Sequence, residues 1–263
     1  MTGGLQPFLS DRVVALAAPT QVWSASDGDL GTGTIDGIYH GDTRFIRSLV
    51  VEYIDDEGRY ARPEWVRTTT PDAGRLRVDG VLRGVDDAWP DPKVRLERVR
   101  EVTDGAMAET LTVRSHRSEP ITVTLRTRWS ADFAPLQEVK AGAAPAAAPT
   151  FEHRDGVLTV STGGATLTVD APGAETVTGD DVSLSWQIEV PAYATRAVTW
   201  SVTMDDPSLV VRGVSTPVPW AEPAAVPGAD PRLQRWLGRA LGDLAALRLT
   251  LPDHPDDAFF AAG

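Results

Sequence analysis

The sequence lacks cysteine and asparagine and has little lysine. Without cysteine there is no disulfide framework, no thiolate nucleophile and no Cys-ligated zinc. Without asparagine there is no N-glycosylation sequon. Only Lys93 and Lys140 among the 25 basic residues are lysine. We interpret the missing asparagine and scarce lysine as the coding bias of a GC-rich bacterial genome.

Basic charge is scarce as a whole, with 25 Lys and Arg against 37 Asp and Glu and a formal net charge of −12. Such a field repels phosphate backbones and anionic lipids, which argues against nucleic acid or a membrane surface as a partner. The opening MTGGLQPFLSDRVV has no basic segment followed by a long apolar one, so we predict no signal peptide. Apolar stretches such as 13–18 are too short to cross a bilayer. We therefore expect a soluble, cytoplasmic protein.

Alternation of apolar and polar side chains dominates the 263 residues. It runs through 121–129, 182–190 and 198–202 and indicates half-buried strands. The stretch 44–54 is more apolar and predicts a strand covered on both faces. Five Asp-Gly pairs lie between such runs, and RLRVDGVLRG and HRDGVLTV are typical of tight hairpins. The sequence predicts a mainly β fold, a large antiparallel β-sandwich of the super-sandwich kind.

Two segments interrupt this pattern before the sequence changes to a helical period. The Ala/Pro-rich stretch 140–150 predicts an exposed loop, and Pro-rich 216–229 predicts a linker. From Asp230 an amphipathic helix is predicted, with Asp230 as its cap and Pro231 in its first turn. Its apolar face consists of Leu233, Trp236, Leu237, Leu241, Leu244 and Leu247.

No element that could cover this face is predicted after the helix, and Phe259-Phe260 adds further apolar surface near the end of the sequence. We expect residues 1–215 to form the sandwich domain, 216–229 the linker and 230–263 the start of a helical domain that the sequence does not contain. The uncovered face is also expected to drive self-association of the isolated chain.

Several catalytic and cofactor motifs fail on detail. The Gly-rich run DGDLGTGTIDG (27–37) has Asp36 where the third glycine of G-x-G-x-x-G would fall, and a turn-rich connection is the better interpretation. The four histidines have no metal-ligand spacing, and no G-x-S-x-G elbow is present. We therefore expect no cofactor and no metal.

Two segments contain candidate site residues. In GIYHGDTRF, Asp42 and Arg44 are two apart, so in an extended strand they would share a face as an ion pair or as ligands for hydroxyls. In RWSADFAPLQEV, Asp132 and Glu138 are a candidate acid–base pair of the kind that glycosidases use. The alternatives are a structural ion pair at a domain surface for the first and solvated turn caps for the second.

These segments, taken in order, resemble the N-terminal domain of bacterial glycogen-debranching-type proteins of the amylo-α-1,6-glucosidase-like family. DGDLGTGTIDGIYHGDTRFIRSLVVEY is similar to the opening block of that domain, and the matching residues are Gly37, Ile38, Tyr39, Asp42, Thr43, Arg44, Phe45 and Ser48. The stretch 93–142 resembles the next block, through Arg98, Glu109, Leu111, Val113, Pro120, Asp132, Phe133, Glu138 and Val139. The chain departs from the family's pattern at 134–137 and at Lys140, which weakens any ligand role for that turn.

The resemblance implies a non-catalytic domain of an α-glucan-acting glycoside hydrolase, because the family's cleaving carboxylates belong to a following (α/α)-barrel. This domain would pack on the barrel and shape the substrate cleft. Tyr39, Asp42, Arg44, Asp132 and Glu138 are then candidates for contact with substrate or with the barrel. Tyr39 and Trp89 could stack on sugar rings, with core packing as the alternative.

Two other functions stay open. The chain could be a free-standing carbohydrate-binding or protein-interaction β-module, in which case the helix packs on its own sandwich. It could also be a self-contained glycosidase that uses Asp132 and Glu138.

Overall fold

The computed structural model describes residues 11–143, 147–154, 156–221, 223, 228 and 230–261. The first half of this part is a run of strands interrupted by the 3-10 turn Arg83–Val85. The strands are β1 (Val13–Ala17), β2 (Thr20–Ser24), β3 (Gly37–His40), β4 (Thr43–Ile54), β5 (Tyr60–Ala61), β6 (Glu64–Asp72), β7 (Arg75–Val81), β8 (Val94–Thr103), β9 (Ala106–Ser115) and β10 (Ile121–Pro135).

The second half adds two helices to the remaining strands. In order they are α1 (Leu136–Ala141), β11 (Thr150–Arg154), β12 (Val157–Thr162), β13 (Ala165–Asp170), β14 (Glu175–Thr178), β15 (Val182–Val190), β16 (Thr195–Asp205), β17 (Arg212–Gly213), α2 (Pro231–Ala246), β18 (Arg248–Leu251) and β19 (His254–Phe260). The predicted mainly β class is confirmed, and the strand pairs are antiparallel.

Two large sheets face each other and form the predicted sandwich. The first sheet has the order β1-β2-β3-β4-β10-β15-β14, with β5 added beside β4. The second has the order β11-β12-β13-β16-β9-β8-β7-β6. Alternate side chains of each strand enter the space between the sheets, where Trp129 of β10 and Trp200 of β16 are fully buried.

The alternating runs fold as their pattern predicts. The runs 121–129, 182–190 and 198–202 lie in β10, β15 and β16. In β4, Leu49, Val51 and Tyr53 are buried whereas the residues between them are only half-buried. This strand is therefore fully covered on one face only. The prediction that 44–54 is covered on both faces is wrong.

The Asp-Gly pairs divide into turns and strand residues. Asp104-Gly105 forms the two-residue turn between β8 and β9, with Gly105 at φ +71°. Arg154 pairs with Val157 across the second predicted hairpin, although Asp155 itself lies outside the described residues. The hairpin predicted at RLRVDGVLRG is wrong, because Asp79 and Gly80 lie inside β7 and pair with strands on both sides.

The segments predicted as a loop and a linker are described only in part. Lys140 and Ala141 extend α1 into the Ala/Pro stretch, and Thr150 begins β11. Positions 144–146 of that stretch lie outside the described residues. In the Pro-rich segment the described residues 216–221, 223 and 228 form neither helix nor strand.

The C-terminal helix forms as predicted and is followed by strands that were not predicted. The Asp230 side chain accepts a hydrogen bond from the amide of Arg232 (2.8 Å), and Pro231 begins α2. After α2, β18 and β19 pair with each other and with β17 in a small third sheet. We had predicted no element after the helix that could cover its apolar face; these strands do follow it, and Leu233, Trp236 and Leu237 of that face are exposed.

Helix α2 lies beside the sandwich and is joined to it by few contacts. The Ala18 amide donates to the Ala246 carbonyl (2.8 Å), and Arg239 donates to the Thr70 carbonyl. A groove of about 660 Å³ separates the helix from β1 and the turn after β6. None of the residues of α2 is buried. No helix in the described part of the chain has the length and apolar character needed to span a membrane.

Candidate functional site

The candidate residues of both predicted segments lie at one end of the first sheet. Tyr39 is on β3, Arg44 is near the start of β4, and Asp132 is near the end of β10. Because β10 pairs antiparallel with β4, the end of one strand lies beside the start of the other. The fold thereby joins Arg44 to Asp132, which are 88 positions apart in the sequence.

Arg44 and Asp132 form a two-point ion pair. Arg44 Nε lies 3.2 Å from both Asp132 oxygens, and Nη2 lies 2.5 Å from Oδ2. The remaining Nη1 donates to the Thr34 carbonyl (3.1 Å). Burial opposes the positive charge, but the hydrogen bonds and charge of Asp132 outweigh it and raise the pKa of Arg44. Asp132 is buried, so its carboxylate is held as the partner of a cation.

The expected pairing of Asp42 with Arg44 is wrong. Asp42 lies in the turn before β4, where its side chain is exposed, and Arg44 is directed to Asp132 instead. The carbonyl of Asp42 accepts a hydrogen bond from the amide of Leu136 (2.7 Å). The backbone of Asp42 thus ties the β3–β4 turn to the start of α1.

Tyr39 is not an exposed aromatic, so its predicted stacking on a sugar ring is excluded in this structure. Its side chain is 2% exposed, and its hydroxyl donates to the Ile35 carbonyl (2.9 Å). Burial raises the pKa of this hydroxyl. Trp89, the other stacking candidate, is 70% exposed.

In the Gly-rich run 27–37 the side chain of Asp36 accepts hydrogen bonds from the backbone of its own loop, which the sequence pattern does not reveal. Asp36 Oδ2 accepts hydrogen bonds from the amides of Gly31 (3.2 Å), Thr32 (3.0 Å) and Gly33 (2.7 Å). The other carboxylate oxygen lies 3.2 Å from Arg12 Nε. Successive amides of this kind make an anion-binding concavity, and here a side chain of the same loop occupies it. This is consistent with our rejection of a phosphate loop.

Backbone strain accompanies Asp132. The register of β10 against β4 shifts between Ser130 and Ala134, and Phe133 has φ +47°. Its ring packs against Phe45 at 5.1 Å between centroids. A non-glycine residue in this region costs of order 1–3 kcal/mol, and such strain clusters at functional positions. The two neighbours of Phe133, which are Asp132 and Ala134, are both buried at this end of the sandwich.

Glu138 lies on α1, half-buried, and its Oε2 has no hydrogen-bond partner within the described ranges. Both carboxylate oxygens of Asp132 accept hydrogen bonds from Arg44, so Asp132 and Glu138 do not form a pair of free carboxyl groups. No group of three His, Asp or Glu side chains that could hold a metal is found among the residues that the structure describes.

A second ion cluster, which we did not predict from the sequence, is buried on the inner face of the second sheet. Arg98 and Arg100 of β8 both bind Glu109 of β9, with Nε of Arg98 at 2.9 Å and Nη2 of Arg100 at 2.7 Å from its Oε1. Arg98 Nη1 also reaches Asp29 Oδ1 at 2.6 Å. The guanidiniums donate to the carbonyls of Asp27 and Gly28 as well, which fixes the loop before Leu30 against the sheet.

The fold and these ion pairs define the class, which is a large antiparallel β-sandwich domain whose buried charges are held in ion pairs. A family model described as the N-terminal domain of (some) glycogen debranching enzymes matches residues 16–201. The chain belongs to this family, as its resemblance implied. The comparison with curated proteins gives no match.

Solved structures match this chain at low sequence identity. A chain described as a kojibiose phosphorylase from the human microbiome has a TM-score of 0.50 and 12% identity, over 75% of this chain and 30% of that one. A bacterial glucoamylase complexed with acarbose has a TM-score of 0.46 and 6% identity, over 74% of this chain and 32% of that one. The first likeness shows a common fold and nothing more, and our chain spans 30% of the length of that protein.

Proposed function

We propose that this chain is the non-catalytic N-terminal domain of an α-glucan-acting glycoside hydrolase of the glycogen-debranching type. In this proposal the apolar face of α2 packs on a helical (α/α)-barrel of the same polypeptide. The end of the sandwich that holds Arg44 and Asp132 forms one wall of the substrate cleft. The observation that carries the proposal is the family match over residues 16–201.

The surface of α2 supports packing against another domain. Leu233 is 47% exposed, Trp236 66% and Leu237 38%, although all three are large apolar side chains. Phe259 and Phe260 on β19 are also exposed. Exposed apolar side chains grouped in this way mark interaction sites. Residues 231–238 of the helix are all exposed, whereas the free-standing module requires the helix to be covered by its own sandwich.

The state of Asp132 supports a non-catalytic role. A general acid or nucleophile needs an oxygen that can reach substrate, whereas both oxygens of Asp132 accept from Arg44 and the residue is buried. The pair therefore serves to hold the β4 and β10 ends together. Contacts with a glucan are assigned to exposed groups, of which Asp42 at the β3–β4 turn lies nearest to this pair in the chain.

Trp89 is a separate candidate for stacking on glucose. Its loop is fixed by Asp86, which accepts hydrogen bonds from the amides of Lys93 (2.6 Å) and Val94 (2.9 Å). An exposed indole on a fixed loop loses little entropy when a sugar ring stacks on it.

The docking proposal is tested by binding. The rest of the parent polypeptide is expressed separately, and its association with this chain is measured by isothermal titration calorimetry. We expect association that Trp236→Ser with Leu237→Ser abolishes and that Val177→Ser, an exposed apolar control on β14, leaves intact. Absence of association, together with a monomeric isolated chain in light scattering, would favour the free-standing module.

The non-catalytic proposal is tested by assay. The isolated chain is incubated with linear and α-1,6-branched oligoglucosides beside Asp132→Asn, and we expect no turnover from either. Turnover by the native chain that disappears in the variant would establish the self-contained glycosidase instead.

A further inference from the structure

The outer face of the second sheet carries an arginine pair that has no carboxylate partner among the residues the structure describes. Arg95 of β8 and Arg114 of β9 are directly opposite each other in the strand register, and both are exposed. Residues in this relation have Cβ atoms about 4.5–5.5 Å apart, and like charges there destabilise the sheet. Within the described ranges neither guanidinium forms an ion pair, although the nearby Arg77 forms two.

The next row of the same face shows why the pair stays uncompensated. Asp79 of β7 is opposite Glu97 of β8, so two carboxylates are also neighbours. Arg77 Nη2 binds both, at 3.0 Å from Asp79 and 2.5 Å from Glu97. Glu97 is two positions from Arg95 on the same face but is held by Arg77. Arg77 therefore neutralises part of the charge of Asp79 and Glu97, whereas no carboxylate of the described residues pairs with Arg95 or Arg114.

These residues line one groove of about 320 Å³. The lining includes Arg67, Arg77, Arg95 and Arg114 but only two carboxylates, so the groove is locally cationic on a chain with net charge −12. Thr112 adds a hydroxyl. A volume near 300 Å³ suits a small molecule.

We propose that this arginine groove binds a small hydroxylated molecule that carries a phosphate group. The phosphate lies between Arg95 and Arg114, since guanidinium groups match phosphate oxygens with paired hydrogen bonds. The hydroxyls of the ligand bind Asp79, Glu97 and Thr112. The two carboxylates disfavour a polyanion, because further phosphates along the groove would lie against negative charge. The site is independent of the function proposed above.

Isothermal titration calorimetry of the whole chain tests this site with glucose 6-phosphate, glucose and inorganic phosphate as probes. We expect glucose 6-phosphate to bind at least tenfold more tightly than either of the others. Arg95→Gln and Arg114→Gln are each expected to weaken that binding at least tenfold. Arg154→Gln removes the same charge from an exposed position on β11 and should leave binding within twofold.

Three results would overturn the proposal. These are no heat with millimolar glucose 6-phosphate, equal weakening by Arg154→Gln, and binding of glucose or of inorganic phosphate as tight as that of the sugar phosphate. Circular dichroism of each variant, whose changed side chain is exposed, establishes that the fold is retained. Thr112→Val supplies a further readout, since it should weaken glucose 6-phosphate severalfold and leave inorganic phosphate unchanged.

Discussion

Strand β8 presents arginines on both of its faces, and the two sets have different surroundings. Arg98 and Arg100 point into the sandwich, fully buried, and each is bound to Glu109. Arg95 points outward, is exposed, and lies opposite another arginine. Burial of an unpaired charge costs several kcal/mol, whereas water solvates an exposed one. The inner arginines must therefore have fixed partners, and only the outer ones are free to take a ligand.

The pKa of Glu109 shows how strong the inner pairing is. Burial raises this pKa, but the charges of Arg98 and Arg100 and their hydrogen bonds lower it by more, so the net direction is downward. The carboxylate is thus ionised inside the sandwich. Its contribution to stability is present above the pKa that Glu109 has in the unfolded chain, and it is lost as the pH falls through the folded-state value.

Removal of the Glu109 charge should give the largest effect. Glu109→Gln leaves buried Arg100 without a carboxylate and Arg98 with Asp29 alone, and we expect the free energy of unfolding to fall by about 3–5 kcal/mol. Urea denaturation measures this loss. Glu101→Gln is the control, because Glu101 is an exposed residue of β8 that pairs with exposed Arg75 and should contribute less than about 1 kcal/mol. Equal losses in the two variants would contradict the distinction between the faces.

Asp132→Asn should give an intermediate effect. The variant weakens a pair whose acid is buried and whose arginine is partly covered, and we expect a loss of about 2 kcal/mol. A double-mutant cycle with Arg44→Met, measured by thermal denaturation, isolates the coupling between the two side chains. Additive losses would show that the two groups do not act as a pair.

The pH dependence of stability near neutrality should depend on His40. Burial lowers its pKa, and its Nδ1 lies 2.9 Å from Thr20 Oγ1, which already accepts from the amide of Gly105 (2.7 Å). Because burial disfavours the charged ring, the neutral imidazole is the stabilised form. Stability is full above the ordinary pKa of histidine, about 6.5, and falls as the pH drops below it. Chemical denaturation between pH 7.5 and 5.5 should show this slope, and His40→Gln should flatten it.

Loss of one outer arginine should give the smallest effect on folding. Arg114→Gln relieves the repulsion from Arg95, so we expect the free energy of unfolding to stay within about 0.5 kcal/mol of the native value or to rise slightly. The same urea series measures it. A loss comparable to that of Glu109→Gln would mean that Arg114 has a structural role that the exposed side chain does not suggest.

Most of the sandwich follows from local pattern. Strands β10, β15 and β16 could be predicted because alternation along each strand reports directly which side chains enter the core. Helix α2 could be predicted from its period and its Asp-Pro start. Strands β18 and β19 could not, since every residue of β19 is exposed and the turn LPDH between them carries no hairpin signal.

The sequence pattern drew attention to residues that the fold brings to one end of the first sheet, but it did not predict their contacts. Asp42 and Arg44 are local neighbours, but the register of β4 against β10 gives Arg44 a partner far away in the sequence. Tyr39 has a hydroxyl group, which made an exposed position plausible. In the structure this hydroxyl donates to the Ile35 carbonyl, so the side chain can be buried. Arg98 and Arg100 lie at alternate positions that the strand period turns inward, which is the only local sign of their buried cluster.

The attachment of α2 is one-sided, and this has a consequence for amide hydrogen exchange. The helix is hydrogen-bonded to the sandwich at Ala246 and at Arg239, both in its second half, whereas its first two turns are exposed. Fraying therefore begins at Pro231 and progresses toward the anchored end. Amide protons of the first half should exchange with deuterium sooner than those of the second. The order of exchange along the helix then shows which end is attached to the sandwich.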